Sequence, residues 1–510
     1  MLNADVYDHS VKNLELIETH ISWVVLTGEY AYKIKKPVNF GFLDFSTLPK
    51  RHKFCEQEIL LNRRLAPGVY LGVVPIVAKQ DKLCLSGRGE PIEYAVKMRQ
   101  FPQSAQLDNM LVSGELKAEH IDALARVTAE FHQRAECADE TTDYGEAQVV
   151  YQPVEENFRQ IHEHINTENY EGVLTTLAQW SHAEFVKLGP LLEQRKHDGF
   201  IRQCHGDMHL RNLIWFDNQP MAFDCIEFNP YLSWIDVISE VAFLMMDLQS
   251  RNEYRLANRF INSYLQITGD YAGLELMRFY LCYRALVRAK VDALRMEQKD
   301  CPEEESVKTR TEFESYLKLA TAYTHAVTPK LIIMHGVSAV GKSTVSQELI
   351  DEMGVIRIRS DVERKRLFNV EIESSASSEV NSGLYTSQAS QQTYERLSEL
   401  AESVISAGYN VVVDATFLEY TQRKIFQSLA KRLNIPYIIL QLTASVDVLK
   451  KRISQRQDTI SDADIEVLEH QLSNMKPFHE EEMKSLIHVN TETEIDFDKL
   501  KLMLEFKAYS

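Results

Sequence analysis

Within the run His205-Gly206-Asp207-Met208-His209-Leu210-Arg211-Asn212 the chain spells H-x-D-x-x-x-x-N, and the apolar stretch Met221-Ala222-Phe223 that follows ends in Asp224. Moving a phosphoryl group needs a carboxylate to orient and deprotonate the attacking hydroxyl, and hard oxygen ligands for Mg²⁺. Asp207 fits the base, and Asn212 and Asp224 fit the two metal ligands. A single H-x-D would read as a polar turn with satisfied carboxylates; three elements in this order argue for chemistry. A second constellation, Gly336-Val337-Ser338-Ala339-Val340-Gly341-Lys342-Ser343-Thr344, is G-x-x-x-x-G-K-S, and it follows the apolar strand Leu331-Ile332-Ile333-Met334-His335 and opens a helix running to about Met353. Residues Gly336 to Thr344 are expected to cradle phosphates with backbone N–H groups, aided by the helix dipole. Lys342 would reach the β- and γ-phosphates of ATP, and Ser343 would ligate Mg²⁺.

The elements around these residues alternate in a recognisable way. Residues 21–36 read as a β-hairpin turning near Gly28, with Pro37 ending its second strand. A helix is expected from about Arg51 to Leu65, then strands over 69–77, 83–85 and 94–98, then mostly helix to Gln194. The result is a small β-rich lobe ahead of a helical one. Glu297 to Thr324 reads as a charged helical connector. After Pro329-Lys330 the chain restarts, with further strands at 355–359, 411–414, 437–442 and 486–489 separated by helices. Together with 331–335 these predict a five-stranded parallel sheet.

Ligands of such sheets bind at the carboxyl ends of the strands. Ser360-Asp361 with Arg364, Asp414-Ala415-Thr416, and Lys451, Arg452 and Arg456 all fall there. Asp361 is a candidate base for an incoming hydroxyl and Arg364 a candidate acceptor-binding cation. Asp414 fits a metal or water-holding role, while Arg452 and Arg456 fit charge stabilisation from a lid, a solvated helix face being the alternative. The Ser-rich segment 374–390 reads as a loop near the acceptor.

With these motifs in place, residues 20 to about 300 resemble an aminoglycoside phosphotransferase-type kinase domain, matching in the HGD catalytic loop, the metal aspartate and Ala31-Tyr32-Lys33, an A-x-K strand. The resemblance implies that Lys33 grips the α/β-phosphates, with Lys35 as its rival on the same face. It also implies that a helix glutamate pairs with that lysine. Glu58 is preferred over Glu56 because Leu61 and Leu65 follow it at i+3 and i+7. Arg99-Gln100-Phe101-Pro102 falls where such enzymes hold adenine. Asp236 falls where the family has an aspartate that accepts hydrogen bonds from the catalytic-loop backbone, although a helix-start carboxylate reads equally well. The G-x-G-x-x-G loop of protein kinases is absent. Residues 328 to about 500 resemble the P-loop kinases of the zeta-toxin and polynucleotide-kinase type, so the whole chain looks like a bacterial fusion of the two. The expected fold is mixed α/β and α+β: a bilobal protein-kinase-like domain over 1–300, a connector over 301–327, and a P-loop parallel-sheet domain over 328–510.

The chain of 510 residues is too long for one core. Its formal charge of −18 argues against nucleic acid or anionic membrane as a general partner. No leader is read at Met1-Leu2-Asn3-Ala4-Asp5, and the apolar run Val241–Met246 is too short to span a bilayer. The seven cysteines are scattered and form no C-x-x-C, which fits reduced thiols in a cytoplasmic protein. The preferred reading is an ATP- and Mg²⁺-dependent kinase with two nucleotide sites and a small-molecule hydroxyl acceptor. The alternatives are a regulatory ATP-binding protein with one non-catalytic domain, and a toxin-like or nucleic-acid-end kinase.

Overall fold

The computed structural model describes the chain apart from residues 40–42, 80–81, 86–88, 167, 297–302, 371–385, 456–464 and 507–510. It divides into two compact units, Met1–Asn252 with Phe279–Thr324, and Glu253–Arg278 with His325–Ser510. Among the described residues no helix is long and apolar enough to cross a membrane.

The first unit opens with β1 (Glu15–Glu18), β2 (Ser22–Leu26), β3 (Tyr30–Lys35), α1 (Leu48–Asn62), β4 (Tyr70–Lys79), β5 (Lys82–Leu85) and β6 (Pro91–Arg99). These strands form one antiparallel sheet in the order β1-β2-β3-β6-β4-β5. In β3, Lys33 is opposite Val24 of β2 and Val96 of β6. The two-residue alternation of a strand puts Lys33 and Lys35 on one face, while Tyr32 and Ile34 pack with Val25 and Ala95 on the other. Both faces are buried, so two lysines are forced inward and require carboxylate partners.

The helical lobe contains α2 (Leu107–Val112), α3 (Ala118–Arg134), α4 (Ala147–His164) and α5 (Glu171–His197). The HGD loop, the candidate catalytic loop, lies between β7 (Ile201–Gln203) and the hairpin of β8 (Leu213–Phe216) and β9 (Gln219–Ala222). Then follow α6 (Pro230–Ser233), β10 (Trp234–Asp236), which pairs with β7, and α7 (Val237–Ser250), almost wholly buried. After α8 (Tyr254–Thr268) come α9 (Leu274–Met296) and α10 (Glu303–Thr324).

The second unit is built on β11 (Leu331–His335), α11 (Lys342–Met353), β12 (Ile356–Arg359), α12 (Ser360–Leu367), α13 (Ser387–Ser406), β13 (Val411–Asp414), α14 (Tyr420–Leu433), β14 (Tyr437–Thr443), α15 (Val446–Ser454), α16 (Ile465–Asn474), β15 (Leu486–Asn490) and α17 (Phe497–Phe506). Its five strands are all parallel, in the order β12-β13-β11-β14-β15, as their apolar runs predict. Helix α8 groups with this unit rather than with the residues that precede it. It covers the edge strand β12, where Asn262 Nδ2 donates to Val355 O (3.0 Å) and Asn262 Oδ1 accepts from Arg357 N (2.7 Å). One side chain thus closes part of an edge that would otherwise stay open for pairing. Asn262→Ala leaves a backbone donor and acceptor unpaired, and is expected to lower the stability of the second unit by about 2–3 kcal/mol in urea unfolding.

Candidate functional site

In the first unit the sheet, α1 and the catalytic loop bring the expected groups together. Lys33 Nζ donates to Glu58 Oε1 at 2.8 Å and also to Asp224. Lys35 Nζ donates to Glu58 Oε2 at 2.6 Å and to Glu227. The rivalry between the lysines therefore resolves into a buried network in which Glu58 bridges both and Lys33 reaches the candidate metal aspartate. Glu56 points outward, beside His52. Burial alone would drive these lysines toward neutrality, but Asp224 and Glu58 hold Lys33 well above the ordinary lysine range, as Glu227 and Glu58 do for Lys35. Glu58 is buried too, and its two lysines keep it well below the usual carboxylate range. For Glu227 burial prevails and raises it.

The catalytic loop is shaped by its backbone as much as by its side chains. Gly206 has φ +87°, and a Cβ there would lie 2.6 Å from Leu232 O, so this position is reserved for glycine. Asn212 Nδ2 donates to Asp207 Oδ2 (2.9 Å) and Asp207 O (3.0 Å), and His209 Nε2 lies 3.4 Å from Asp207 Oδ2. Burial would raise the Asp207 carboxyl, but His209, with His205 and Arg288 behind it, brings it below the ordinary carboxylate range. It is therefore an ionised acceptor at neutral pH. Burial pushes the His205 imidazole below its ordinary range, with Nε2 facing Phe223 O (2.9 Å) and Asp207 N–H donating to Nδ1 (3.3 Å). Asp224 itself has φ +63°, a conformation secured by Tyr70, whose hydroxyl accepts from its N–H (3.0 Å).

One expectation is corrected. Asp236 does not accept from the catalytic loop: it pairs with Arg195 (2.7 and 2.9 Å) and caps α7 through Ile238 N (2.9 Å). The loop amides of His205 and Gly206 bond instead to Glu240, one turn later (3.1 and 2.6 Å), and Leu210 N bonds to Asp247 (2.9 Å). Both acids lie on the face of α7 turned to the loop, whereas the β10 pairing directs Asp236 toward α5. Glu240 also faces His132 at 3.0 Å and is fully buried. Glu240→Gln places an amide against donors, and is expected to cost about 2–3 kcal/mol in unfolding and to lower turnover through a loosened loop.

In the second unit the phosphate loop has the expected shape. Gly336 (φ +152°) admits no Cβ, which would lie 2.9 Å from Leu442 O. Gly341 (φ +98°) precedes α11, and Ala339 holds φ +61°. Lys342 Nζ curls over the loop to Gly336 O and Val337 O (2.9 Å each). Ser338 N donates to Gln471 Oε1 of α16 (2.7 Å), Val340 is buried beneath the loop, and Thr344 faces solvent. Ser343 Oγ and Ser346 Oγ both lie near Asp414 Oδ2, at 3.3 and 3.2 Å. Asp361 is in the first turn of α12, not at its cap, which is Arg359. Arg364 is buried and reaches Ser390 Oγ (3.4 Å). Tyr394, absent from the sequence-based set, joins them: its hydroxyl accepts from Phe417 N (3.1 Å), and the charges of Arg364 and Asp361 act on it. Arg452 is tied to Ala339 O (3.4 Å) and to Thr491 Oγ1 and O (3.1 and 2.6 Å), against the outer side of the loop. Lys451 is exposed, and Arg456 lies outside the described residues, as does most of 374–390.

His335, just ahead of this loop, is buried with neither ring nitrogen hydrogen-bonded among the described residues, its ring 4.6 Å from that of Phe478. Burial, with Arg423 and Lys342 adding to it, lowers its pKa to about 4. The unfolded chain, titrating at about 6.5, then binds the proton first. Stability is complete above that value and is expected to fall by about 3 kcal/mol between pH 6.5 and 4. Thermal unfolding across that range should be less acid-sensitive in His335→Leu.

Residues 331–479 match the AAA domain family AAA_33. Over 458 residues the chain is 31% identical to the "uncharacterized protein Rv2004c" of Mycobacterium tuberculosis, covering 89% of this chain and 88% of that one. The chain belongs to the family of that mycobacterial protein. Among solved structures, amicoumacin kinase hAmiN, in complex with AMP-PNP, Ca²⁺ and Ami, aligns with 62% of this chain and 91% of its own (13% identity, TM-score 0.40). A gluconokinase from Sinorhizobium meliloti aligns with 36% of this chain and 99% of its own (18% identity, TM-score 0.26). The matched segment 331–479 contains the G-x-x-x-x-G-K-S loop of the second unit.

Proposed function

We propose that this protein is an ATP-dependent phosphotransferase with a nucleotide site in each unit, and that the first unit moves the γ-phosphate to a hydroxyl of a small molecule. The observation that carries the reading is Asp207: an ionised carboxylate fixed by Asn212 and His209 on the same unit that pairs Lys33 with both Glu58 and Asp224. Asp207 orients the acceptor hydroxyl and takes its proton as the oxygen attacks. Lys33, kept charged and aimed by Glu58, holds phosphate oxygens. Asn212 commits its N–H₂ group to Asp207, which leaves Oδ1 as a hard donor, while its backbone carbonyl accepts from Phe223 N (3.0 Å), next to Asp224, whose carboxylate is half-exposed. That donor set suits Mg²⁺ and excludes softer ions, as does Ser343 with Asp414 in the second unit. When bound, Mg²⁺ neutralises charge on the transferred group.

The second unit, in this reading, is a P-loop kinase in which Lys342 and the loop amides bind the phosphates, Asp361 acts as base and Arg364 holds the acceptor. Free thiols at Cys55, Cys84, Cys137, Cys204, Cys225 and Cys282 support a cytoplasmic setting. The test is acceptor-dependent ADP release by the full chain across sugars, amino alcohols, nucleosides and aminoglycosides. Release that no acceptor stimulates would reject the reading in favour of an ATP-binding regulator.

A further inference from the structure

Helix α9 carries Arg284, Arg288, Asp292 and Arg295 at spacings that place them along one face. Arg284 fixes where that face points: its guanidinium donates to Gly206 O of the catalytic loop (3.3 Å) and to Ser239 O and Oγ (3.2 Å each). Arg288 and Asp292 therefore follow the loop at about one and two helical turns, or roughly 6 and 12 Å along the axis. Arg288 bonds to Tyr316 of α10, yet its buried Nε meets no partner among the described residues. Both oxygens of Asp292 are likewise buried without a hydrogen bond, and its side chain is 0% exposed. Arg295 forms a long ion pair with it (3.8 Å), beyond hydrogen-bonding distance. The charge of Arg288 is felt at Asp207, and that of Arg211 from the catalytic loop at Asp292.

Buried polar atoms are nearly always satisfied, and one left without a partner is destabilising. Three such atoms on the helix face that borders the catalytic base call for a ligand. A carboxylate acceptor and a guanidinium donor side by side suit a hydroxyl, which donates to one and accepts from the other. An ammonium would suit Asp292 but meet Arg288 and Arg295; a carboxylate or phosphate would meet Asp292. We infer that Arg288 and Asp292 form the acceptor-recognition subsite of the first unit, and that its ligand is a neutral polyhydroxylated molecule, a sugar or polyol. This rests on the phosphotransferase reading. One ligand hydroxyl gives its proton to Asp207 as its oxygen bonds to the γ-phosphorus and the bond to ADP breaks. Another hydroxyl engages Arg288 and Asp292.

The experiment uses the full chain carrying Lys342→Ala, so that transfer by the second unit is silenced. ADP release is measured with glucose, ribitol and myo-inositol, and with ethanolamine, choline and kanamycin. A polyol or sugar is expected to be turned over. Arg288→Gln and Asp292→Asn should each raise its KM about 10- to 100-fold without changing the KM for ATP. Asp292→Asn keeps the side chain's shape and should unfold close to the parent, since the carboxylate accepts no hydrogen bond among the described residues and its ion pair with Arg295 is long (3.8 Å). Turnover confined to the amines, or a polyol KM unmoved by both substitutions, overturns the inference while leaving the phosphotransferase reading intact. Turnover of none of the six compounds, by a chain that still binds ATP, also overturns the inference; only if nucleosides fail as well does the phosphotransferase reading fall with it.

Discussion

Asp207→Asn is expected to lower acceptor-dependent transfer by the first unit about 10²–10⁴-fold, the usual loss when a positioned base is removed. ATP affinity should hardly change, because the carboxylate is tied to Asn212 and His209, whereas Lys33, Glu58 and Asp224 form a separate network with Lys35 and Glu227. The amide is isosteric, and one of its atoms can still meet Asn212, so the loop should keep its shape. Measured in chains that also carry Lys342→Ala, a fall in kcat with an unchanged ATP dissociation constant supports the assignment. Parental turnover would end it. Lys33→Ala offers the contrast: ATP binding itself should weaken, with Glu58 left facing Lys35 alone.

Lys342→Ala is expected to abolish nucleotide binding by the second unit. The lysine Nζ lies over Gly336 and Val337, at the mouth of the loop whose amides would receive the phosphates. Arg452, which lies against the loop, is anchored on Ala339 O and Thr491, so it is not free to substitute. Calorimetry on the full chain should then show one nucleotide site where the parent shows two. Two undiminished sites would refute the P-loop assignment, and the surviving site should be lost when Lys33 is also replaced.

The chemistry-bearing motifs were legible because each is local: H-x-D-x-x-x-x-N and G-x-x-x-x-G-K-S hold their donors within one loop, and strand alternation alone put Lys33 and Lys35 on a shared face. What could not be read is partnership across long separations. Asp236 and Glu240 lie one turn apart at the start of α7, and either could have held the loop; only the pairing of β10 with β7 and the burial of Arg195 decide between them. Tyr70 and Tyr394 look like ordinary core aromatics, and their hydroxyls acquire a role through backbone amides at Asp224 and Phe417, over 150 and 20 residues away respectively. Helix α8 shows the same limit. Its apolar face, with Phe260, Ile261 and Leu265 buried, reads as amphipathic from sequence, but nothing local says which sheet it covers.

That helix has a consequence for how the protein is made. Asn262 meets Val355, 93 positions further along the chain, so α8 leaves the ribosome long before the strand it seals exists. The first unit in turn needs Phe279–Thr324 to complete it. Neither unit can finish folding when its first segment has been synthesised, and the slow step should be the closure of these interleaved segments. The N-terminal sheet can form early, while α8 waits with an exposed apolar face. A nascent chain arrested before β12 should therefore recruit chaperones through that helix, and no single cut in the sequence can yield two intact halves.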